Sequence, residues 1–331
     1  MHRHLEGSLR VETLSEIGQD HGIRNTGTHV LGPKVQIGEN EPYTFENFLS
    51  KFTTLRMFYR SPEVIGRITR EAIEDAAKDN VRYLELRFTP VALSKAERFP
   101  LDQVIDWVIE GAAEGEETYG VKTRLIASVN RHESPDLAEQ VAWLAMERKA
   151  KGIVGLDLAG NEAEFSAEPF VGVFREAQQE DLQITIHAGE WGDAANVCEA
   201  IESFKTKRVG HGVRICEDDA AVELARKQGT VFEVCLTSNF QSGVVPELSE
   251  HPIVAMLEAG LNATLNTDDP SVSKITLGEE YRLACEELGL SLLTLQERIL
   301  AAAEAAFLPD DQKDELAESI KAELGSKITT V

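Results

Sequence analysis

From Val81 onward the chain alternates between short apolar, β-branched runs and longer amphipathic segments, and few folds accommodate that rhythm. Residues 81–89 (VRYLELRFT), 123–130 (TRLIASVN), 153–158 (IVGLDL), 182–187 (LQITIH), 208–211 (RVGH), 230–236 (TVFEVCL) and 261–267 (LNATLNT) read as strands. Helical periodicity fills 101–119, 134–151, 167–180, 194–204, 217–228 and 251–259 between them. Strict β–α alternation implies a parallel sheet. Seven such strands, with a stub at His2 to His4 as the eighth, imply an α/β chain closed into a (β/α)8 TIM-type barrel.

The segments outside the rhythm read as additions to that barrel. Residues 11–21 form a helix closed by Gly22, and a Gly-rich connection with Gly27, Gly32 and Gly38 follows. Residues 43–59 place Phe45, Phe48, Leu49, Phe52, Leu55 and Phe58 at helical spacing. That stripe is either a packed helix or an apolar lid over a pocket mouth. Ser61-Pro62-Glu63 reads as an N-cap with Pro at the first helical position, opening a helix to about Asn80. From Thr276 to the end the pattern is helical without a further strand. No linker or repeat interrupts the chain. The expectation is one domain over residues 1–331, a barrel with extra lid helices and a C-terminal helical extension.

Charge narrows the partners. The chain has 331 residues, 33 Lys and Arg against 57 Asp and Glu, and a formal net charge of −24. Such a surface repels phosphate backbones and anionic lipid, so nucleic-acid and membrane partners are not expected. No apolar run reaches membrane-span length, and the first residues lack the apolar core of a signal peptide. The expectation is a cytoplasmic protein acting on a small molecule, as a monomer or weak homo-oligomer. The four cysteines, Cys198, Cys216, Cys235 and Cys285, show no metal or disulfide spacing and are expected to be small buried hydrophobes.

The polar residues collect at the C-terminal ends of the strands, where barrels carry their chemistry. His2 and His4 share one face of the stub if it is a strand; the alternative is a frayed terminus with chance histidines. Almost nothing precedes His2, so either the first strand is very short or natural residues upstream are absent from this chain. Gly160 and Asn161 follow one strand, His187 and Glu190 the next, His211 ends another, Ser238 and Asn239 follow the sixth, and Asp268 and Asp269 the last. Three imidazoles and a carboxylate suit a zinc-like ion with a water in an open position, and such an ion lowers the water's pKa to about 7. Glu190 would donate a proton if a closed apolar pocket raises its pKa; otherwise it is a carboxylate that orients a neighbour. His211 or Asp268 could take the water's proton. Asp269 could hydrogen-bond the substrate, or cap the helix that Pro270 opens.

These residues resemble adenosine deaminase and its relatives. The likeness rests on His2-Arg3-His4-Leu5-Glu6-Gly7, Asp157-Leu158-Ala159-Gly160-Asn161-Glu162, His187-Ala188-Gly189-Glu190, Gly210-His211-Gly212, Thr237-Ser238-Asn239 and Asn266-Thr267-Asp268-Asp269-Pro270, in order over nearly the whole chain. It implies one zinc held by His2, His4, His187 and Asp268, with His4 also facing the substrate. It implies that Glu190 protonates purine N1, that His211 orients and deprotonates the water, that Asp269 bonds N7 and that the Gly160 backbone meets N3. The implied reaction is hydrolytic deamination of adenosine and 2′-deoxyadenosine, giving inosine from adenosine, with release of ammonia. Many such enzymes carry Asp where this chain has Glu6, near the ribose, so a 5′-modified adenosine (aminodeoxyfutalosine or a thio-adenosine) or adenine is the alternative substrate. Two other readings compete. A dinuclear amidohydrolase would want a bridging Lys after a middle strand, and none is present; a non-catalytic barrel would have lost some of the six metal and proton-transfer residues, and all are there.

Overall fold

The computed structural model describes residues 1–328, with side chains described to residue 325; residues 329–331, the end of the expected helical extension, lie outside the described residues. Seven strands pair in chain order, all parallel: β1 (Tyr83–Phe88), β2 (Lys122–Asn130), β3 (Ile153–Ala159), β4 (Gln183–Ala188), β5 (Arg208–His211), β6 (Val231–Val234) and β7 (Asn262–Leu265). The eighth stave is the N-terminal stub. Arg3 bridges Asp268, just past β7, and His4 bridges Arg87 of β1, both in parallel sense. Backbone bonds from His4 N to Asp268 O (2.9 Å) and from Leu5 N to Arg87 O (2.7 Å) close the ring. The TIM-type barrel is therefore complete, and the stub is held by sheet-like bridges at Arg3 and His4 and by the bond from Asp268 N to His2 O (3.0 Å) rather than frayed.

Alternation along each stave sorts the side chains. On β4, Ile184 and Ile186 are buried alternately with Thr185 and His187. Thr185 hydrogen-bonds Glu233 of β6 across the barrel interior, so the interior-facing set is polar. The same inward set includes Glu85 and Arg87 of β1, Asp157 of β3 and Arg208 of β5, all fully buried. Many barrels fill this space with branched apolar residues; here it is filled by an ion network. Arg208 Nε donates to Glu233 Oε1 at 2.6 Å and Arg208 Nη2 to Glu85 Oε2 at 2.5 Å, while Arg87 pairs with Glu233. Each charge has a partner, as burial demands. Below, Phe307 stacks on the Arg208 guanidinium at 3.6 Å, and its backbone N–H donates to Glu85 Oε1 at 2.6 Å. The C-terminal extension thus plugs the N-terminal end of the barrel. Helices Leu277–Glu286, Leu292–Glu304 and Asp310–Ile328 make up that extension.

Three expectations need correction. The Gly-rich connection contains a helix, Thr28–Val35, with Pro33 inside it; burial of Leu31 and Val35 and a bond from Lys51 Nζ to Pro33 O hold it despite its composition. The strand expected at 230–236 ends at Val234, because Leu236–Gln241 turns into a short helix. Of the cysteines, only Cys235 is fully buried, and all four are free thiols. The Ser61 cap is as expected, accepting from Val64 N at 3.2 Å. Among the described residues no helix is long and apolar enough to cross a membrane.

Candidate active site

Parallel register delivers the site. His187 on β4 lies beside Gly210 on β5, and Ala188 beside His211, so two histidines reach the same rim from adjacent strands. Gly210 is required there: a Cβ at that position would lie 2.9 Å from His2 Cε1 and 3.3 Å from His187 Cα. His211 and Asp268 both adopt left-handed backbone, with φ of 61° and 56°, a strained choice for residues with side chains that is concentrated at functional sites.

The expected metal donors converge. His4 Nε2 is 3.3 Å from both His2 Nε2 and His187 Nε2. Asp268 Oδ1 is 3.2 Å from His2 Nε2 and 3.4 Å from His4 Nε2. One atom from each of these four residues lies within 4.8 Å of every other. Their tautomers follow from what stands behind them. His2 Nδ1 meets Glu233 Oε2 at 2.9 Å and His187 Nδ1 meets Asp157 Oδ1 at 2.8 Å. Burial would raise both carboxyls, but the positive charge around them wins. His187 and Arg87 hold Asp157 below the usual carboxylate range, and Arg87 and Arg208 hold Glu233 well below it. Both are ionised and can only accept, so each ring donates through Nδ1 and turns its Nε2 toward the other donors. Burial pushes His4 down to about 3, keeping it neutral. Three imidazole Nε2 atoms gathered around one carboxylate oxygen are a zinc-type donor set.

Above this cluster is a cavity of about 110 Å³, lined on its metal side by His4, His187, His211 and Asp268 and on its roof by Phe48, Leu49 and Phe52. The stripe on helix Phe45–Leu55 therefore does both things open to it: Phe48 and Leu55 are buried, while the roof residues cover the pocket. Phe45 packs edge-on to Trp191 at 4.3 Å, joining the lid to the loop after β4.

Glu190 is not a surface carboxylate. It is 5% exposed, and burial, reinforced by the charges of Asp268, Glu162 and Asp269, pushes its carboxyl well above the ordinary range. His211 Nε2 stands 3.6 Å from Glu190 Oε2 and 3.9 Å from Asp268 Oδ2. Burial drives His211 well below its ordinary pKa. Asp269 is raised well above the carboxylate range by burial and then by the charges of Asp268 and Glu6. It precedes helix Pro270–Ser273 without capping it through its side chain, so the capping alternative fails. Asp269 Oδ1 and Glu6 Oε2 are buried and find no hydrogen-bond partner among the described residues, and both residues line the cavity with Gly160. Gly7 makes room for Asp269, whose carboxyl would overlap any Cβ there.

Several residues that shape the site carried no role in the sequence reading. Asp157 and Glu233 sit in apolar strands, and a charge inside a buried strand is the signal that could have found them. Glu162 accepts from the backbone N–H groups of Gly189, Glu190 and Trp191 at 3.0, 2.6 and 2.9 Å and so fixes the turn that presents Glu190. Ser238 Oγ donates to Asp268 Oδ2 at 2.7 Å.

Comparison with known proteins agrees with this geometry. The adenosine deaminase family profile matches residues 1–323. The adenosine deaminase of Salmonella schwarzengrund (strain CVM19633) is 36% identical over 326 residues, covering 97% of each chain. An adenine deaminase from Arthrobacter aurescens superposes with a TM-score of 0.89 at 25% identity, covering 98% of each chain. An amidohydrolase from Burkholderia ambifaria, solved with bound zinc, superposes with a TM-score of 0.88 at 25% identity, covering 99% of this chain and 90% of that one. With that likeness running through nearly its whole length, the chain belongs to the adenosine deaminase family and is a hydrolytic deaminase.

Proposed function

We propose that this chain, acting as one barrel unit, is a zinc-dependent adenosine deaminase that converts adenosine to inosine, accepts 2′-deoxyadenosine, and releases ammonia. The observation that carries the reading is Glu190, a buried carboxyl raised well above its usual range and set beside His211 and Asp268 at the donor cluster. Zinc held by His2, His4, His187 and Asp268 supplies, when bound, the Lewis acidity that lowers the pKa of a water to about 7.

The chain's own residues account for the rest. Glu190 is held protonated and gives its proton to purine N1, which draws electron density from C6 as the water oxygen adds there. His211 or Asp268 takes the proton that the water loses. The C6–N bond then breaks, the amine leaves as ammonia with that proton, the new C6 hydroxyl returns its proton to Glu190, and a 6-oxopurine remains. Asp269, also held protonated, has Oδ1 free to bond N7, and the Gly160 backbone meets N3. Glu6 Oε2 is free for the sugar side of the pocket. The lid residues Phe48, Leu49 and Phe52 exclude bulk water.

The alternatives are adenine, on which the Arthrobacter relative acts, and a 5′-modified adenosine admitted at Glu6. The 36% identity to the Salmonella adenosine deaminase favours the unmodified nucleoside. The test is zinc-loaded protein with adenosine, adenine and a 5′-modified adenosine in parallel, following ultraviolet change and ammonia. Turnover of adenosine well above the other two is expected; preference for either of them would replace this reading.

A further inference from the structure

The hydrogen bonds behind His211 run in one direction. The backbone N–H of Ile253 donates to His251 Nδ1 at 3.1 Å. An amide N–H can only donate, so Nδ1 is the acceptor, and a neutral His251 carries its proton on Nε2. His251 is 4% exposed, and burial pushes it down to about 3, so it is neutral. Its Nε2 lies 3.3 Å from Asn239 Oδ1, which accepts, and this fixes which way the Asn239 amide points. Asn239 Nδ2 is then 3.1 Å from His211 Nδ1 and donates to it. A neutral His211 that accepts at Nδ1 holds its own proton on Nε2, the nitrogen that faces Glu190 and Asp268.

We propose that His251, acting through Asn239, is a positioning residue that locks His211 in the Nε2–H tautomer and so makes it a hydrogen-bond donor toward the reacting centre. The proposal rests on the deaminase reading and sharpens it. An imidazole already protonated on Nε2 cannot take a second proton there. Of the two candidates for the water's proton, Asp268 is then the acceptor, and His211 holds the water oxygen in place by donating to it.

The test separates tautomer from turnover. Imidazole 15N NMR of the zinc-loaded protein, with the His211 signals assigned by their loss in His211→Asn, is expected to show Nδ1 bare and Nε2 protonated. Asn239→Asp replaces the donor by an acceptor-only carboxylate and draws the proton to Nδ1. It should lower kcat by about 10²–10⁴-fold with little change in KM, the order of loss seen when a catalytic imidazole is held in the wrong tautomer. His251→Phe removes the donor that orients Asn239 and should lower kcat by about tenfold or more, a loss of over 1.4 kcal/mol. His251→Gln keeps an N–H near the Nε2 position and should recover most of it. A wild-type His211 protonated on Nδ1 overturns the proposal whatever the kinetics, as does parental kcat in Asn239→Asp. If no nucleoside turns over while the NMR shows the expected tautomer, the deaminase reading fails and this assignment stands.

Discussion

His187 Nδ1 meets Asp157 Oδ1 at 2.8 Å, so a carboxylate that never reaches the pocket decides which nitrogen of His187 is offered to a metal. Asp157 also accepts from Ser128 Oγ at 2.9 Å and lies 3.4 Å from Arg87 Nη1. In Asp157→Asn the amide can donate as well as accept, and the ring is no longer held in one tautomer. Zinc affinity is expected to fall about 10–100-fold, read by competition with a chelator.

Asp268 contributes the one carboxylate of the donor set and is held by Ser238 through its other oxygen. Asp268→Ala is expected to lose zinc on dialysis and all turnover with it. Full zinc occupancy by elemental analysis would remove Asp268 from the ligands.

Glu190→Gln keeps the shape of the side chain and abolishes the proton. Zinc content should match the parent while kcat drops by about 10²–10⁴-fold, the range general-acid catalysis supplies. A variant with near-parental kcat would end the role of Glu190 as the N1 donor.

Glu280 predicts a pH dependence of stability. It is fully buried and accepts from the backbone N–H groups of Leu236 and Thr237 at 2.9 and 3.2 Å, at the start of the helix that carries Ser238 and Asn239. Burial outweighs those donors and raises its carboxyl from 4.5 to about 7. Between those values the unfolded chain has released the proton and the folded chain keeps it, so raising the pH favours unfolding. Relative to Glu280→Gln, which does not titrate, the parent should lose roughly 3 kcal/mol across that window, at 1.36 kcal/mol per pKa unit. Denaturant melts of both proteins at several pH values measure the difference.

The ring of staves was legible in the β–α rhythm, and His187, His211 and Asp268 were legible because they end or follow apolar strands, where barrel chemistry collects. His2 and His4 rested only on their one-residue spacing in a polar stub. What stood behind the donors was not legible. Whether Asp157, Glu233 or Glu85 faces inward depends on register, which their short strands leave open. Helix Thr28–Val35 was hidden because Gly32 and Pro33 argue against a helix locally, and only the burial of Leu31 and Val35 overrides them. The end of β6 was misplaced because the helix replacing it is capped by Glu280, far along the chain. His251 gave no sign of its link to His211, since Asn239 joins two histidines that share no local pattern.

The seam between Asp268, the stub and β1 sets the order in which the protein can be assembled. Three of the four donors, His2, His4 and Asp268, lie on the two edges that meet there. His2 and His4 precede Asp268 by more than 260 residues in the sequence, so they wait unmatched until the seven intervening strands have wrapped round to bring Asp268 beside them. A metal held by all four donors would then be captured late, as a clasp on the closed ring. An unfinished or misthreaded chain would not bring the four donors together.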